Sequence, residues 1–415
     1  MEKTKILYFS EFYAPQNTVQ TFRNLKISKY LSKYGFKQYI FTADSPNDVV
    51  PELNNDIPTD AVIFRKKLYF NKKIKNFGSL NLKNNIFTNV LRLFKDIVFP
   101  IDKNIWWMLS YLHKMIRTIK KENIEYVMIG GYPYCAFVGG YILKKICKVK
   151  LILDFHDPWK NLPSSKQQSI IRKISHSFWE RICVINANLV TVCTDELKTE
   201  FYREYQPQNI CVIPNGFDID DYKNIICNSK ENSSKLTFLY TGTYSLNTNA
   251  YNPESLIKSF YKFIKRYNLV DCELILVGIT DEITKQLIDS FKCNQIICKD
   301  LTPKHEVFEM LNQADFLIHF YYPYNHKDTI SLKVCEYAIF NKPIICFNTH
   351  EGSLYNLLTK YKLGEVANSH DVEDMVNLFN KAYNKQITIC KNPVEVLKDY
   401  NWDNVVKVLA EQIIS

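Results

Sequence analysis

Residues 5–42 read KILYFSEFYAPQNTVQTFRNLKISKYLSKYGFKQYIFT. Residues 5–9 form a short apolar run and Pro15 stands in the loop that follows. Val19, Phe22, Leu25, Tyr30, Leu31 and Tyr34 then recur at helical spacing. Gly35 stands where a helix C-terminus favours glycine, and a second apolar run, 38–42, follows at once. Strand, loop, helix and strand at this spacing open a parallel βαβ sheet.

The pattern continues outward from that opening. Strands are expected at 126–129, 150–155 and 189–193, with a helix over 136–146. A polar stretch, 224–235, rich in Asn, Ser and Lys, reads as a linker or exposed loop. The alternation then restarts, with strands expected at 236–240, 273–277, 295–298, 316–320 and 343–347. The last segment, 394–414, reads as a helix that carries Trp402. Two successive α/β runs in 415 residues imply two doubly wound domains of about 200 residues each.

Composition narrows the function classes. With 46% hydrophobic and 23% charged residues the chain is ordinarily globular. The apolar start spans four residues, 6–9, too short for a signal peptide, and no run approaches the ~18 apolar residues of a membrane span. Twelve cysteines are scattered without a C-x-x-C pair, which speaks for reduced thiols and a cytoplasmic protein. The net charge of +10 attracts phosphates, anionic lipid or nucleic acid, or follows from a Lys-rich composition alone. Its densest stretch, Arg65, Lys66, Lys67, Lys72, Lys73 and Lys75, is interleaved with Leu68, Tyr69, Phe70 and Ile74. That mixture fits a peripheral contact at the inner face of a membrane or a solvated loop. A nucleic-acid partner explains the charge but none of the motifs.

In open parallel sheets, ligands bind at the carboxyl ends of strands, where helix N-termini offer free amides. Four such places carry polar residues. The loop 10–15 with Tyr13, leading to Thr21 and Arg23, has no glycine fingerprint and is either an ordinary βα loop or an acceptor-recognition element. His156 and Asp157 leave the strand 150–155 on an extended turn before Pro158, where they can donate to sugar hydroxyls, move protons or serve structure. Asn215-Gly216 is a tight turn, and Asp218, Asp220 and Asp221 after it read as helix-capping residues rather than a metal site. Finally, residues 328–338 read DTISLKVCEYA. Ser331 is a suitable N-cap, and Leu332, Cys335, Ala338 and Ile339 give the helix an apolar face. Lys333 then lies in the first turn, where the helix dipole disfavours a cation by ~0.3–1 kcal/mol unless an anion binds there. A diphosphate on this N-terminus, beside Lys333 and with Glu336 on ribose hydroxyls, accounts for these residues. A solvated surface helix would carry them equally well, and spacing does not separate the two.

The ordered set of segments is similar to retaining glycosyltransferases of family 4, whose fold is GT-B. DFHDPW at 154–159, preceded by Pro133, Gly139 and Leu143, resembles the acceptor-domain signature of the bacterial capsule and O-antigen type. VTVCTDELKTEF at 190–201, VIPNGFD at 212–218, LTFLYTGTY at 236–244, ADFLIHF at 314–320, SLKVCEYAIFNKPII at 331–345 and YNWDNVVKVL at 400–409 follow in family order. The resemblance implies two Rossmann-like doubly wound domains facing a cleft: 1–205, completed by a C-terminal helix 394–415, and 206–393. It implies transfer of a sugar (a hexosyl or N-acetylhexosaminyl group) from a nucleotide-diphosphate donor to an acceptor hydroxyl, with retention and no metal or other cofactor. The expected acceptor is a saccharide or lipid-linked saccharide in polysaccharide synthesis. His156, Asp157 and Asp328 match catalytic positions. Gly242, Thr243, Lys299, Ser331, Leu332, Lys333 and Glu336 are assigned to the donor, and Tyr13, Thr21 and Arg23 to the acceptor. Two departures stand out: the first acid of the family's acidic pair is Asp328 rather than Glu, and after Gly242 come Thr243-Tyr244-Ser245 in place of an Arg and a Lys. A sugar-nucleotide epimerase of the same fold and a non-catalytic nucleotide-sugar-binding subunit are the alternatives.

Overall fold

The structure is a computed structural model that describes residues 3–44, 49–68, 101–157, 159, 170–222, 235–247, 251–278, 280–300, 302–320 and 330–415. Asp328, Pro158, residues 69–75 of the basic stretch and all of the expected linker except Lys235 lie outside the described residues. The chain forms two compact units. One comprises Met1–Pro214 with Trp402–Ser415, the other Asn215–Asn401.

The first unit runs β1 (Thr4–Phe9), α1 (Val19–Lys33), β2 (Phe36–Asp44), β3 (Val62–Lys67), α2 (Ile105–Glu122), β4 (Tyr126–Gly130), α3 (Cys135–Cys147), β5 (Lys150–Phe155), α4 (Ile170–Asn186), β6 (Leu189–Val192), α5 (Asp195–Tyr205) and β7 (Ile210–Val212). Its seven strands are all parallel, in the order β3-β2-β1-β4-β5-β6-β7. Central strands read as apolar runs because helices cover both faces of a parallel sheet; all five residues of β4 are buried. Thr18 caps α1 by accepting from the Thr21 amide, and Gly35, at φ +88°, turns the chain from α1 into β2. The C-terminal helix Trp402–Ile414 packs against α1, with Trp402 buried and Asp403 accepting from the Tyr34 hydroxyl at 2.6 Å.

The second unit runs β8 (Leu236–Thr241), α6 (Glu254–Tyr267), β9 (Cys272–Val277), α7 (Glu282–Ser290), β10 (Ile296–Lys299), α8 (Lys304–Gln313), β11 (Phe316–Phe320), α9 (Leu332–Ile339), β12 (Ile344–Asn348), α10 (Ser353–Lys360), β13 (Gly364–Asn368) and α11 (Val372–Tyr383). Its six parallel strands order as β10-β9-β8-β11-β12-β13. Each sheet therefore reverses its winding once, between β1 and β4 and between β8 and β11. Those reversals are where open α/β sheets bind ligands.

Three expectations shift. The first unit extends to Pro214 rather than 205, because β7 pairs with β6. The segment 394–414 is not one helix. A short helix, Pro393–Val396, and a tight turn, Lys398–Tyr400, precede Trp402, and the Tyr400 carbonyl accepts from the Phe217 amide at 2.9 Å. The strands β3, β7 and β13 appear where no strand was expected. All three are edge strands or next to loops, partly open to solvent, so they lack the continuous apolar run of a central strand. Every cysteine among the described residues is a free thiol. Among the described residues no helix is long and apolar enough to cross a membrane.

Candidate functional site

In the first unit, the carboxyl ends of β4 and β5 open into a cavity of about 220 Å³ lined by Gln20, Gly131, Tyr132, Tyr134, His156 and Asp157. β5 sets the site. It is LILDF after its first lysine, a wholly buried run in which Asp154 is the one charged residue. A carboxylate so placed needs partners, and Asp154 has four donors. Arg23 donates from Nε at 3.1 Å and from Nη2 at 2.8 Å, the Thr191 hydroxyl donates at 2.6 Å, and His156 Nε2 lies at 3.0 Å. Burial alone would raise this carboxyl, but Arg23 and then His156 hold it far below the usual carboxylate range. An ionised carboxylate only accepts, so His156 Nε2 carries a proton and Nδ1 stands on the other edge of the ring. Gly131, at φ +63°, lets the chain pass that edge: a Cβ there would stand 3.0 Å from both Nδ1 and Cε1 of His156.

Behind Tyr132 lies a second group of acids. Glu11 and Asp102 are both buried. Asp102 accepts from the Cys135 and Asn104 amides at 2.8 and 2.9 Å, and the Asn104 side chain donates to Glu11. Burial, and next Asp102, push the Glu11 carboxyl up to about 8.

The acceptor assignment of Tyr13, Thr21 and Arg23 is corrected here. Tyr13 is fully buried with its hydroxyl donating to Ser28 at 2.8 Å. Thr21 is fully buried at the capped start of α1. Arg23 is 1% exposed, and beyond Asp154 it donates to the carbonyls of Ile213 and Pro214 at 2.8 and 3.1 Å. These side chains hold the unit together and present no surface to a substrate. Gln20, one residue before Thr21, is the α1 residue that reaches the cavity. The signal for Asp154 was present in the sequence, as a lone acid inside an apolar strand, and so was the Gly130-Gly131 pair at the end of β4.

In the second unit, α9 begins beside the β8/β11 reversal. Ser331 occupies the N-cap position with extended backbone, yet its hydroxyl makes no cap hydrogen bond, so the first-turn amides are not closed off by it. Lys333 turns back over β8. Its Nζ is 3.2 Å from the Tyr240 hydroxyl, 4.7 Å from that ring's centroid and 5.7 Å from the Tyr251 ring. Among the described residues no carboxylate pairs with it. Burial pushes its ammonium down to about 8, with Glu336 opposing. Gly242, at φ +130°, ends β8 directly under it, and a Cβ at that position would collide with the Lys333 ammonium. Glu336 is half-buried one turn further along, where its charge, after burial, raises the Tyr222 hydroxyl. Leu332 is half-buried and Thr243 exposed. Thr243 offers its carbonyl to the Tyr240 hydroxyl at 2.9 Å. Lys299 is exposed at the end of edge strand β10, with β9 between it and β8, and no contact brings it to Lys333. Asp218 accepts from the Asp220 amide at 3.1 Å, a capping contact.

Residues 24–221 match Glycosyltransferase Family 4. No curated protein matches the chain. Solved structures of similar fold include sucrose-phosphate synthase from Thermosynechococcus elongatus, at 13% identity, TM-score 0.68, with 99% of this chain and 98% of that chain covered. The Anabaena protein HepE, solved with UDP and glucose, is 14% identical with TM-score 0.67 and 99% of each chain covered. UDP-GlcNAc 2-epimerase from Neisseria meningitidis, solved with UDP-GlcNAc, is 10% identical with TM-score 0.57, again with 99% of each covered. At these identities the likeness establishes the fold, and the fold is GT-B: two Rossmann-like parallel-sheet domains, of seven and six strands.

Proposed function

We propose that this chain is a glycosyltransferase that takes a sugar from a nucleoside-diphosphate donor and passes it to an acceptor hydroxyl with retention of configuration. The observation that carries this reading is Lys333. A partly buried ammonium without a carboxylate partner among the described residues stands in the first turn of a helix, where the dipole opposes it. A diphosphate beside it removes that conflict. The match of residues 24–221 to family 4 and the UDP-containing structures of similar fold support the same chemistry.

The leaving diphosphate is stabilised by the α9 amides and Lys333, without a metal ion. Turnover then persists in EDTA. Glu336 takes the ribose hydroxyls and Asp328 acts on the sugar, while Asp157 lines the cavity of the first unit beside His156. His156, held by Asp154, presents Nδ1 to the cavity of the first unit, where it accepts a hydrogen bond or a proton from a hydroxyl. The acceptor is a saccharide, in its fullest form a lipid-linked one in polysaccharide synthesis.

A membrane contact also fits α2 and α4. Both helices pack against α3. α4 exposes Ile170, Ile174 and Phe178 among Lys173 and Arg181, and α2 exposes Trp106 and Leu109 above Lys114 and Arg117. Apolar side chains interleaved with cations suit an anionic leaflet.

The test measures nucleoside-diphosphate release from UDP-, GDP- and dTDP-sugars, with and without saccharide acceptors, in wild type, Lys333→Ala and Glu336→Ala. Acceptor-dependent release that collapses in both variants is expected. Wild-type rates in both would end the assignment, and a new sugar nucleotide formed from donor alone would make the chain an epimerase.

A further inference from the structure

β11 carries a histidine in an otherwise apolar run, Phe316-Leu317-Ile318-His319-Phe320. Side chains alternate along a strand. Phe316, Ile318 and Phe320 pack into the cluster with Phe238, Phe260 and Phe379, whereas Leu317 packs on the opposite face with Val334, Cys335 and Ala338 of α9. His319 shares the Leu317 face, one pleat nearer the strand's carboxyl end. It pairs in register with Cys346 of β12. Lys333, in the first turn of α9, is near enough for its charge to act on the ring.

His319 is 1% exposed, and among the described residues neither ring nitrogen has a hydrogen-bond partner. Burial, and next the charge of Lys333, push its imidazolium down to about 3, so the ring is neutral. A neutral imidazole offers one N–H donor and one acceptor. A buried polar group left unsatisfied destabilises the fold, and an apolar residue here would pack without that cost. A polar ring kept beside the anion-binding turn thus points to a partner that arrives with the ligand.

The electrostatics say why that partner is met by a neutral ring. The loop after β8, Gly242-Thr243-Tyr244-Ser245, contributes no cation, and Lys333 meets the diphosphate with a single charge. A second buried cation next to Lys333 would repel it, whereas a neutral N–H donor adds a hydrogen bond without that penalty.

We infer that His319 is a further donor-binding residue, giving its ring N–H to an oxygen of the nucleoside diphosphate held by Lys333. This rests on the reading of the α9 turn as the donor-diphosphate site. The test uses the full chain, titrating UDP, GDP and dTDP by calorimetry and melting each variant without ligand. In His319→Leu, with His319→Met as a second apolar replacement, affinity should fall about tenfold or more while the melting temperature holds or rises. His319→Gln, which keeps a donor, should stay within a few-fold of wild type. Apolar variants that bind as wild type does, or a Gln variant as weak as the apolar ones, would overturn the inference and leave the donor site standing. If wild type binds no nucleoside diphosphate, the donor-site reading fails and takes this one with it.

Discussion

The Lys333 ammonium occupies the space that a Cβ on Gly242 would need. The glycine at the end of β8 and the lysine on α9, 91 positions apart in the chain, are one feature: the backbone must lack a side chain for the cation to lie over Tyr240. Gly242 also has φ +130°, a region that L side chains rarely adopt. Gly242→Ala should therefore cost about 1–3 kcal/mol of stability and displace Lys333. Thermal unfolding reads the first effect. Calorimetric titration with a nucleoside diphosphate reads the second as a clear loss of affinity, which an intact affinity would contradict.

Lys333 makes donor binding pH-dependent in a stated direction. Its ammonium in the free protein is lowered from 10.5 to about 8, so the charge is present below that pH and lost above it. Diphosphate affinity should hold between pH 6.5 and roughly 7.5 and fall as the pH rises through about 8. Stability moves the other way. Because the folded value lies below the unfolded one, the penalty of burying the charge is full below about 8 and fades toward 10.5. Lys333→Met should bind weakly with no step near 8; a step that survives in this variant assigns it to another group.

The central strands were legible because burial on both faces leaves nearly uninterrupted apolar runs: residues 150–155 and 316–320 fall on β5 and β11 without a shift. The edges were not, since β3 ends in Arg65-Lys66-Lys67 and β13 begins with a glycine. At the site, Lys333 was readable as a cation in the wrong turn of a helix. Arg23 was misread because a charged residue early in the helix after a strand looks the same whether it serves a ligand or a buried carboxylate 131 positions away. Asp154 and His319 were passed over for one shared reason. Each sits inside an apolar strand, where pattern reading sees a strand and not the polar atom within it.

Arg23 and Asp154 form a pair in which both side chains are at most 1% exposed. Removing one partner leaves the other charged and buried, so Arg23→Met should cost roughly 3–5 kcal/mol in urea unfolding. Asp154→Asn likewise strips Arg23 of its counter-charge and should destabilise the fold, so its chemistry is read per folded molecule. The amide keeps hydrogen-bonding capacity but no longer compels His156 to carry its proton on Nε2, so turnover should fall while diphosphate affinity, which belongs to the second unit, stays unchanged. The ion pair also sets an acid limit. A carboxyl held below its ordinary 3.8 contributes stability above that pH and loses it as the pH falls toward the folded value. Arg23→Met should lose that acid-side decline in stability.

Glu11 predicts the opposite slope at higher pH. Burial and Asp102 raise its carboxyl from 4.5 to about 8, so the folded chain holds a proton that the unfolded chain gives up. The stability tied to that proton is complete below pH 4.5 and declines as the pH rises through about 8, by a few kcal/mol across the range. Wild type should accordingly melt at a lower temperature at pH 8 than at pH 5.5. Glu11→Gln fits here because Glu11 already accepts from the Asn104 amide and its neutral form is the one the interior selects. It should flatten the slope and raise the melting temperature most at pH 8. A slope unchanged in Glu11→Gln would move the effect to Asp102, whose buried carboxyl is also raised, and Asp102→Asn would then be the variant that flattens it.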